Sequence, residues 1–241
     1  MLLGVTLDDE CKSLLKDGVV VIPNFLPTSE FVALRKEHKR LIENHNFETK
    51  GQCLSQEQYS PNSVAIYADD PKPSALSAFL QNPRLLFLLQ VGEGRRKCLI
   101  NWSQYEATIG GVAKDNFSEL EEQIHSDTYF STHKVFLYLH DVGIENGPFT
   151  YCRRTMRVTW RRLVREYASS LEKKATRDTW RPEEWEQKYL DLTEEPIVGL
   201  ANTLIIADTN GFHKRTRGRT ERFTVQLMTR HNPFRFSPQV K

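Results

Sequence analysis

The sequence predicts an all-β core decorated with helices, an α+β protein, and three observations carry that expectation. From residue 97 onward the chain is a series of short β-branched and aromatic segments, each bounded by Gly, Pro, Asn or Asp. Before residue 90 the apolar residues recur instead at helical spacing. Between the third and fourth short strands lies a charged stretch with helical periodicity, residues 153–192, which reads as an insert into the sheet.

In chain order, LDDECKSLLK has helical spacing and is stopped by Asp17-Gly18, after which VVVIPNFLP reads as a strand ended by prolines. TSEFVALRKEHKRLIENH opens with Thr28 and Ser29, either of which caps a first turn, and repeats Phe31, Leu34, His38, Leu41 and Ile42 on one face of a long helix. Residues 49–73 are polar and proline-bearing and read as an ordered loop. SALSAFL and PRLLFLLQ read as two short helices, the second with Pro83 in its first turn. The strands are KCLINWSQYEATI, THKVFLYLHDVG, GPFTYC, EPIVGLANTLIIAD and RFTVQLMTR, with the insert helices VTWRRLVREYASSLEKKA and PEEWEQKYLDL between the third and fourth. Trp160, Leu163, Trp180 and Trp185 are expected to pack the insert against the core. No internal repeat or change of composition marks a linker, so residues 1–241 are expected to form one domain: helical support over 1–90, a β core from 97–152 and 195–232, and the insert over 153–192.

The 33 Lys and Arg against 31 Asp and Glu leave a net charge of +2, which disfavours a wholly electrostatic partner such as nucleic acid or an anionic membrane. At 39% hydrophobic and 10% aromatic residues the chain is not of disordered composition, and no apolar run approaches the ~20 residues of a membrane span. Cys11, Cys53, Cys98 and Cys152 form no CxxC pair and no secretory leader precedes them, so a reducing cytoplasm is expected. GxSxG, HExxH, P-loop and dinucleotide-binding patterns are absent, and the partner expected is a small molecule.

His125-Ser126-Asp127 is the most informative tripeptide. Residues two apart in an extended chain point the same way, so the imidazole and the carboxylate address one ion together. His213, after the strand ANTLIIAD and a Thr-Asn-Gly turn, supplies a third donor, and His, carboxylate and His make the facial set of non-haem Fe(II) oxygenases. HxD alone is weak: the competing reading makes His125 a polar residue at a sheet edge and Asp127 a turn residue. The later His213 in the right order is what raises it. Nine residues further, Arg222 opens a strand and shares a face with Thr224 and Gln226. Its guanidinium suits the far carboxylate of a dicarboxylic 2-oxoacid, with the Thr224 hydroxyl as a second donor. Arg215, Arg217 and Arg219 read as a solvated basic hairpin. Trp102, Gln104 and Tyr105 have two readings, pocket or plain core, and His38, His45, His133, His140 and His231 read as ordinary residues.

The segments DGVVVIPNFL, HSDTYFSTHKVFLYLHDVGIENGPFTY, TWRRLVREY and ANTLIIADTNGFHKR, in that order, resemble the phytanoyl-CoA dioxygenase family of Fe(II)/2-oxoglutarate oxygenases across most of the chain. The resemblance implies a double-stranded β-helix (a cupin-like jelly roll), with iron on His125, Asp127 and His213 and 2-oxoglutarate on Arg222. It also implies an aromatic, Phe136, beside that cosubstrate, with dioxygen as the second. The expected reaction is hydroxylation of an unactivated carbon with release of succinate and carbon dioxide. Cyclisation, desaturation and epimerisation by the same centre stand as alternatives, as does a catalytically silent binding or regulatory protein. The chain departs from the family in one place: Cys152-Arg153-Arg154-Thr155-Met156 stands where relatives carry a Pro-Gly-Ser-His turn. The insert between Arg153 and Lys188 holds 11 Lys and Arg against six Asp and Glu, which reads either as a field for an anionic substrate or as solvated helix faces.

Overall fold

The computed structural model describes residues 6–44, 63–67, 74–108, 122–127, 131–171 and 180–229. Helix α1 (Leu7–Asp17) begins at a capping box between Thr6 and Asp9 and ends at Gly18, whose φ of 79° is the left-handed conformation that glycine adopts without strain. The chain then enters β1 (Val19–Ile22), followed by α2 (Thr28–Asn44), β2 (Ser63–Tyr67), α3 (Ser74–Leu80) and α4 (Pro83–Glu93). Asn82 caps α4, and Pro83 follows at the position where a missing N–H costs nothing. The second half carries β3 (Ile100–Thr108), β4 (His133–Tyr138), β5 (Phe149–Tyr151), α5 (Trp160–Leu171), α6 (Glu184–Tyr189), β6 (Glu195–Pro196), β7 (Leu204–Asp208), β8 (His213–Arg215) and β9 (Arg222–Thr229).

Two antiparallel sheets result, one in the order β1-β7-β4-β9-β3-β2 and one in the order β6-β5-β8. Alternation along the central strands sorts their side chains into two layers. Val135, Leu137, Val225, Leu227, Leu204 and Ile206 face the helices, where they meet Leu14, Leu34, Leu76, Leu85, Leu88 and Leu89 in the larger core. Each such fully buried leucine contributes about 2 kcal/mol. The alternate residues Phe136, Tyr138, Ile205 and Ala207 face the other sheet and pack on Phe149 and Tyr151 in a smaller core between the sheets.

Three expectations need correction, and one open alternative is decided. Residues 63–67, within the stretch expected to be loop, form β2 and pair with β3 from Ser63 opposite Glu106 to Tyr67 opposite Trp102, because SVAIY is apolar enough to extend the sheet. EPIVGLANTLIIAD is not one strand: it is interrupted between Pro196 and Leu204, where Asn202 turns at φ 68° and bonds the backbone of Leu26 through its amide. Of the two readings of Tyr105 the core one holds: it alternates to the helix side, where its hydroxyl donates to Glu37, and that carboxylate also accepts from the first amides of α3, Ala75 N and Leu76 N. Of the four residues expected to pack the insert only Trp180 is buried; Trp160 is 77% exposed, with Leu163 and Trp185 outside as well. The inward face of α5 is instead polar, with Arg162, Glu166 and Ser169 buried at i, i+4 and i+7. His45 and His231 lie outside the described residues, as does the side chain of Ile42. No helix is long and apolar enough to cross a membrane among the described residues.

Candidate metal centre

His125 and His213 face each other as an isolated antiparallel pair: His125 N donates to His213 O at 2.9 Å and His213 N to His125 O at 2.8 Å. The neighbouring Ser126 exchanges both of its backbone bonds with Trp180, at 3.0 and 3.1 Å, and Asp127 N donates to Thr209 O at 2.9 Å. The HxD segment is thus pinned between β8 and Trp180 of the insert. Trp180 in turn packs edge-on against Phe212, with ring centroids 5.2 Å apart, so the insert helps to position the site.

Each histidine ring is oriented by the carbonyl two residues upstream. His125 Nδ1 bonds Gln123 O at 2.7 Å and His213 Nδ1 bonds Gly211 O at 2.9 Å. A carbonyl only accepts, so Nδ1 carries the proton in both rings and Nε2 is left with a lone pair. The two Nε2 atoms each lie 3.5 Å from Asp127 Oδ1, and one ligand atom from each of the three residues falls within 4.8 Å of the others. Buried His213 Nε2 has no hydrogen-bond partner. Two lone pairs and a carboxylate oxygen converging in a buried space repel one another unless a cation lies among them, and two imidazoles with one carboxylate suit Fe(II). The donor set therefore fits the metal that the sequence implies.

The electrostatics agree. Burial alone works to raise the Asp127 carboxyl, but Lys134 Nζ at 2.8 Å from Oδ2, reinforced by the two histidines, holds it well below the usual carboxylate range. Lys134 thereby occupies one oxygen and leaves the other facing the rings. Burial lowers His213, which favours the neutral ring, the form able to ligate a cation.

The loop into His213 is braced from several sides. Tyr151 Oη donates to Asp208 O at 2.9 Å, passing so close over Gly211 that a Cβ there would lie 2.0 Å from the hydroxyl. The segment 152–156 serves the same loop: Phe212 N donates to Thr155 Oγ1 at 2.8 Å, and Asn210 Nδ2 to Met156 O at 3.1 Å. Arg162 of α5 donates to Asn210 O at 2.7 Å and Oδ1 at 2.9 Å, and to Glu166 at 2.6 Å. Arg153 pairs with Glu195, Arg154 with Asp17 and Arg165 with Glu186. Much of the insert's positive charge thus has internal partners, a role neither reading of the sequence assigned.

Arg222, Thr224 and Phe136 all face the space between the sheets. Phe136 stacks on Phe149 at 4.6 Å, and Phe149 lies 5.6 Å from the His213 ring, so these aromatics wall the same interior. Arg222 is 4% exposed; Nη1 donates to Gly147 O, and Nε has no partner. The residue that sequence reasoning missed is Glu106 on β3, buried opposite Thr224. Its Oε2 accepts from Thr224 Oγ1 at 3.3 Å and from Gln226 Nε2, and lies 3.7 Å from Arg222 Nη2; its Oε1 lies 3.6 Å from Arg215 Nη2. Arg215 therefore belongs to this inner cluster and not to a solvated hairpin. Its signal was the pairing of β8 with β5, which turns the basic segment's first residues inward. His140 Nε2 accepts from Phe223 N and His38 Nε2 bonds Glu106 O, while His133 is buried at the head of β4; these three remain structural residues.

No family model and no curated protein matches the sequence. Solved structures do. The epimerase SnoN, in complex with Fe3+, α-ketoglutarate and nogalamycin RO, aligns with a TM-score of 0.65 at 13% identity over 92% of this chain and 82% of its own. The fold is that of iron- and 2-oxoglutarate-dependent enzymes. EctD from S. alaskensis, with 2-oxoglutarate and 5-hydroxyectoine, gives 0.65 at 16% identity, covering 94% of this chain and 77% of its own. The α-ketoglutarate-dependent carbocyclase SnoK of nogalamycin biosynthesis gives 0.59 at 13%, covering 93% and 85%. At these identities the likeness is one of fold.

Proposed function

We propose that this protein is a non-haem Fe(II)- and 2-oxoglutarate-dependent oxygenase of the phytanoyl-CoA dioxygenase kind, one domain built on a double-stranded β-helix, which hydroxylates an unactivated carbon of a small molecule. The observation that carries the reading is the convergence of His125 Nε2, Asp127 Oδ1 and His213 Nε2, with both Nδ1 protons already bonded elsewhere. These three residues would hold Fe(II). Bound there with 2-oxoglutarate and dioxygen, the metal supplies an oxidant able to remove hydrogen from an unactivated carbon, with succinate and carbon dioxide as by-products.

The chain's own residues do the rest. Lys134 keeps Asp127 ionised and limits it to one oxygen on the metal side. Arg222 and Arg215 against Glu106 leave one net positive charge in the buried cluster, which supports an added carboxylate there. Phe136 and Phe149 exclude water between the two ends. A second reading, epimerisation or ring closure, draws on the epimerase and the carbocyclase among the structural neighbours, because outcome depends on how the substrate lies at a common centre.

Anaerobic addition of Fe(II) and 2-oxoglutarate is expected to produce a visible absorption band, and admission of air to release succinate. Asp127→Ala is expected to abolish both, and Arg222→Ala to raise the 2-oxoglutarate concentration required. Neither band nor succinate in the wild type would remove the proposal.

A further inference from the structure

The two groups expected to grip the far carboxylate of a 2-oxo diacid, Arg222 and Thr224, together with Gln226 on the same face, already meet a carboxylate of the chain itself. Thr224 Oγ1 and Gln226 Nε2 donate to Glu106 Oε2, and the Arg222 guanidinium lies 3.7 Å from the same oxygen. Glu106 does not reach this seat by chance of rotamer alone. Strand pairing fixes it opposite Thr224, His38 Nε2 bonds its carbonyl at 3.2 Å, and Tyr105 beside it is anchored to Glu37 on the helix side. The carboxylate is therefore presented by a backbone held by its strand neighbours and by α2 on the helix side, and only side-chain rotation can withdraw it. Arg215 Nη2, 3.6 Å from Oε1, offers a second cation on which it can remain paired.

Resting on the proposed 2-oxoglutarate reading, we propose that Glu106 is an internal rival of the cosubstrate. It occupies the distal-carboxylate seat formed by Arg222, Thr224 and Gln226, and yields it by turning onto Arg215 when a dicarboxylate binds. The bonds that Glu106 gives up then count against cosubstrate affinity, and the second carboxylate feels its charge at close range in a buried site. Glu106 thereby sets both the affinity for 2-oxo diacids and the margin by which they exceed 2-oxo monoacids, which have no far carboxylate to seat. The Nε of Arg222, buried and without a hydrogen-bond partner, is a donor that Glu106 leaves for the incoming group.

The test is binding. Wild type and Glu106→Gln, loaded with Fe(II) without oxygen, are titrated with 2-oxoglutarate and with 2-oxobutyrate, following the absorption band and the rise in melting temperature. Gln keeps the shape and an acceptor oxygen but removes the charge. The expected result is about tenfold tighter binding of 2-oxoglutarate, which is about 1.4 kcal/mol, with 2-oxobutyrate unchanged. Glu106→Asp keeps a counter-charge for folding and draws the carboxylate back by one methylene, so its affinity shifts in the same direction. Unchanged or weaker 2-oxoglutarate binding in the variants, with the wild type binding normally, overturns the rivalry and leaves the function standing. Failure of the wild type to bind 2-oxoglutarate with Fe(II) present removes the reading beneath it and the rivalry together.

Discussion

Replacing Arg162 by Met tests whether the insert braces the candidate metal centre. The Arg162 side chain is 3% exposed and pairs with Glu166, which is 10% exposed, through an Nε–Oε1 bond of 2.6 Å. It also donates to Thr155 O and to both oxygens of Asn210, and its guanidinium carbon lies 4.8 Å from the centre of the Phe212 ring. Methionine fills most of the volume but leaves the Glu166 carboxylate buried without its cation, a change that costs about 3 to 5 kcal/mol. For a chain of 241 residues, taking about 4 kcal/mol at roughly 2 to 4 °C each, the melting temperature is expected to fall by about 10 °C. Urea denaturation of the metal-free protein measures the loss directly. The double variant Arg162→Met, Glu166→Met removes the stranded charge, so it is expected to lose only about 2 kcal/mol, chiefly for the carbonyls of Thr155 and Asn210. Because Asn210 stands three residues before His213, the single variant is also expected to bind Fe(II) more weakly. A loss under about 1 kcal/mol, or a double variant as damaged as the single, refutes the clamp.

Three further outcomes follow from the same coordinates. Gly211→Ala drives a Cβ to 2.0 Å from the Tyr151 hydroxyl, so it is expected to cost about 2 to 3 kcal/mol in denaturation and to weaken metal binding, whereas Gly94→Ala, with open space around it, strains only its own backbone. Burial lowers the pKa of His38 and of His133 in the folded protein, so below the ordinary value of 6.5 the unfolded chain binds more protons; stability is present above that pH and is lost as pH falls through the folded values, and the denaturant midpoint is expected to drop between pH 8 and pH 5.5. Burial pushes the Cys98 and Cys152 thiols up to about 12, which leaves about one thiolate in ten thousand at pH 8; mass spectrometry after iodoacetamide treatment is expected to find both unmodified until denaturant is added.

How far the site was legible is clearest in particular residues. His125, Asp127 and His213 could be read because their chemistry is rare in combination and their local spacing, two residues in an extended chain, fixes direction without knowledge of the fold. Arg222 and Thr224 could be read as sharing a face for the same reason. Glu106 could not: nothing near it in the chain distinguishes it from a solvated strand carboxylate, and the side chains its carboxylate meets lie on β8 and β9, 109 or more residues away. Arg162 was hidden differently. On α5 the apolar residues point outward and the polar ones inward, so helical periodicity, which assumes that the apolar stripe faces the core, assigns the arginine to solvent.

The sequence by itself determined the alternation of strand and helix, the two layers into which each strand's side chains divide, and the three donors able to share an ion. These follow from periods of two and 3.6 and from side-chain chemistry, both of which are local. Only the tertiary structure decided that a carboxylate of β3 lies against Arg222, and that the insert holds both the HxD segment, through Trp180, and the loop before His213, through Arg162. Those are contacts between residues far apart in the chain, and what selects them is strand register and the need of each buried charge for a partner.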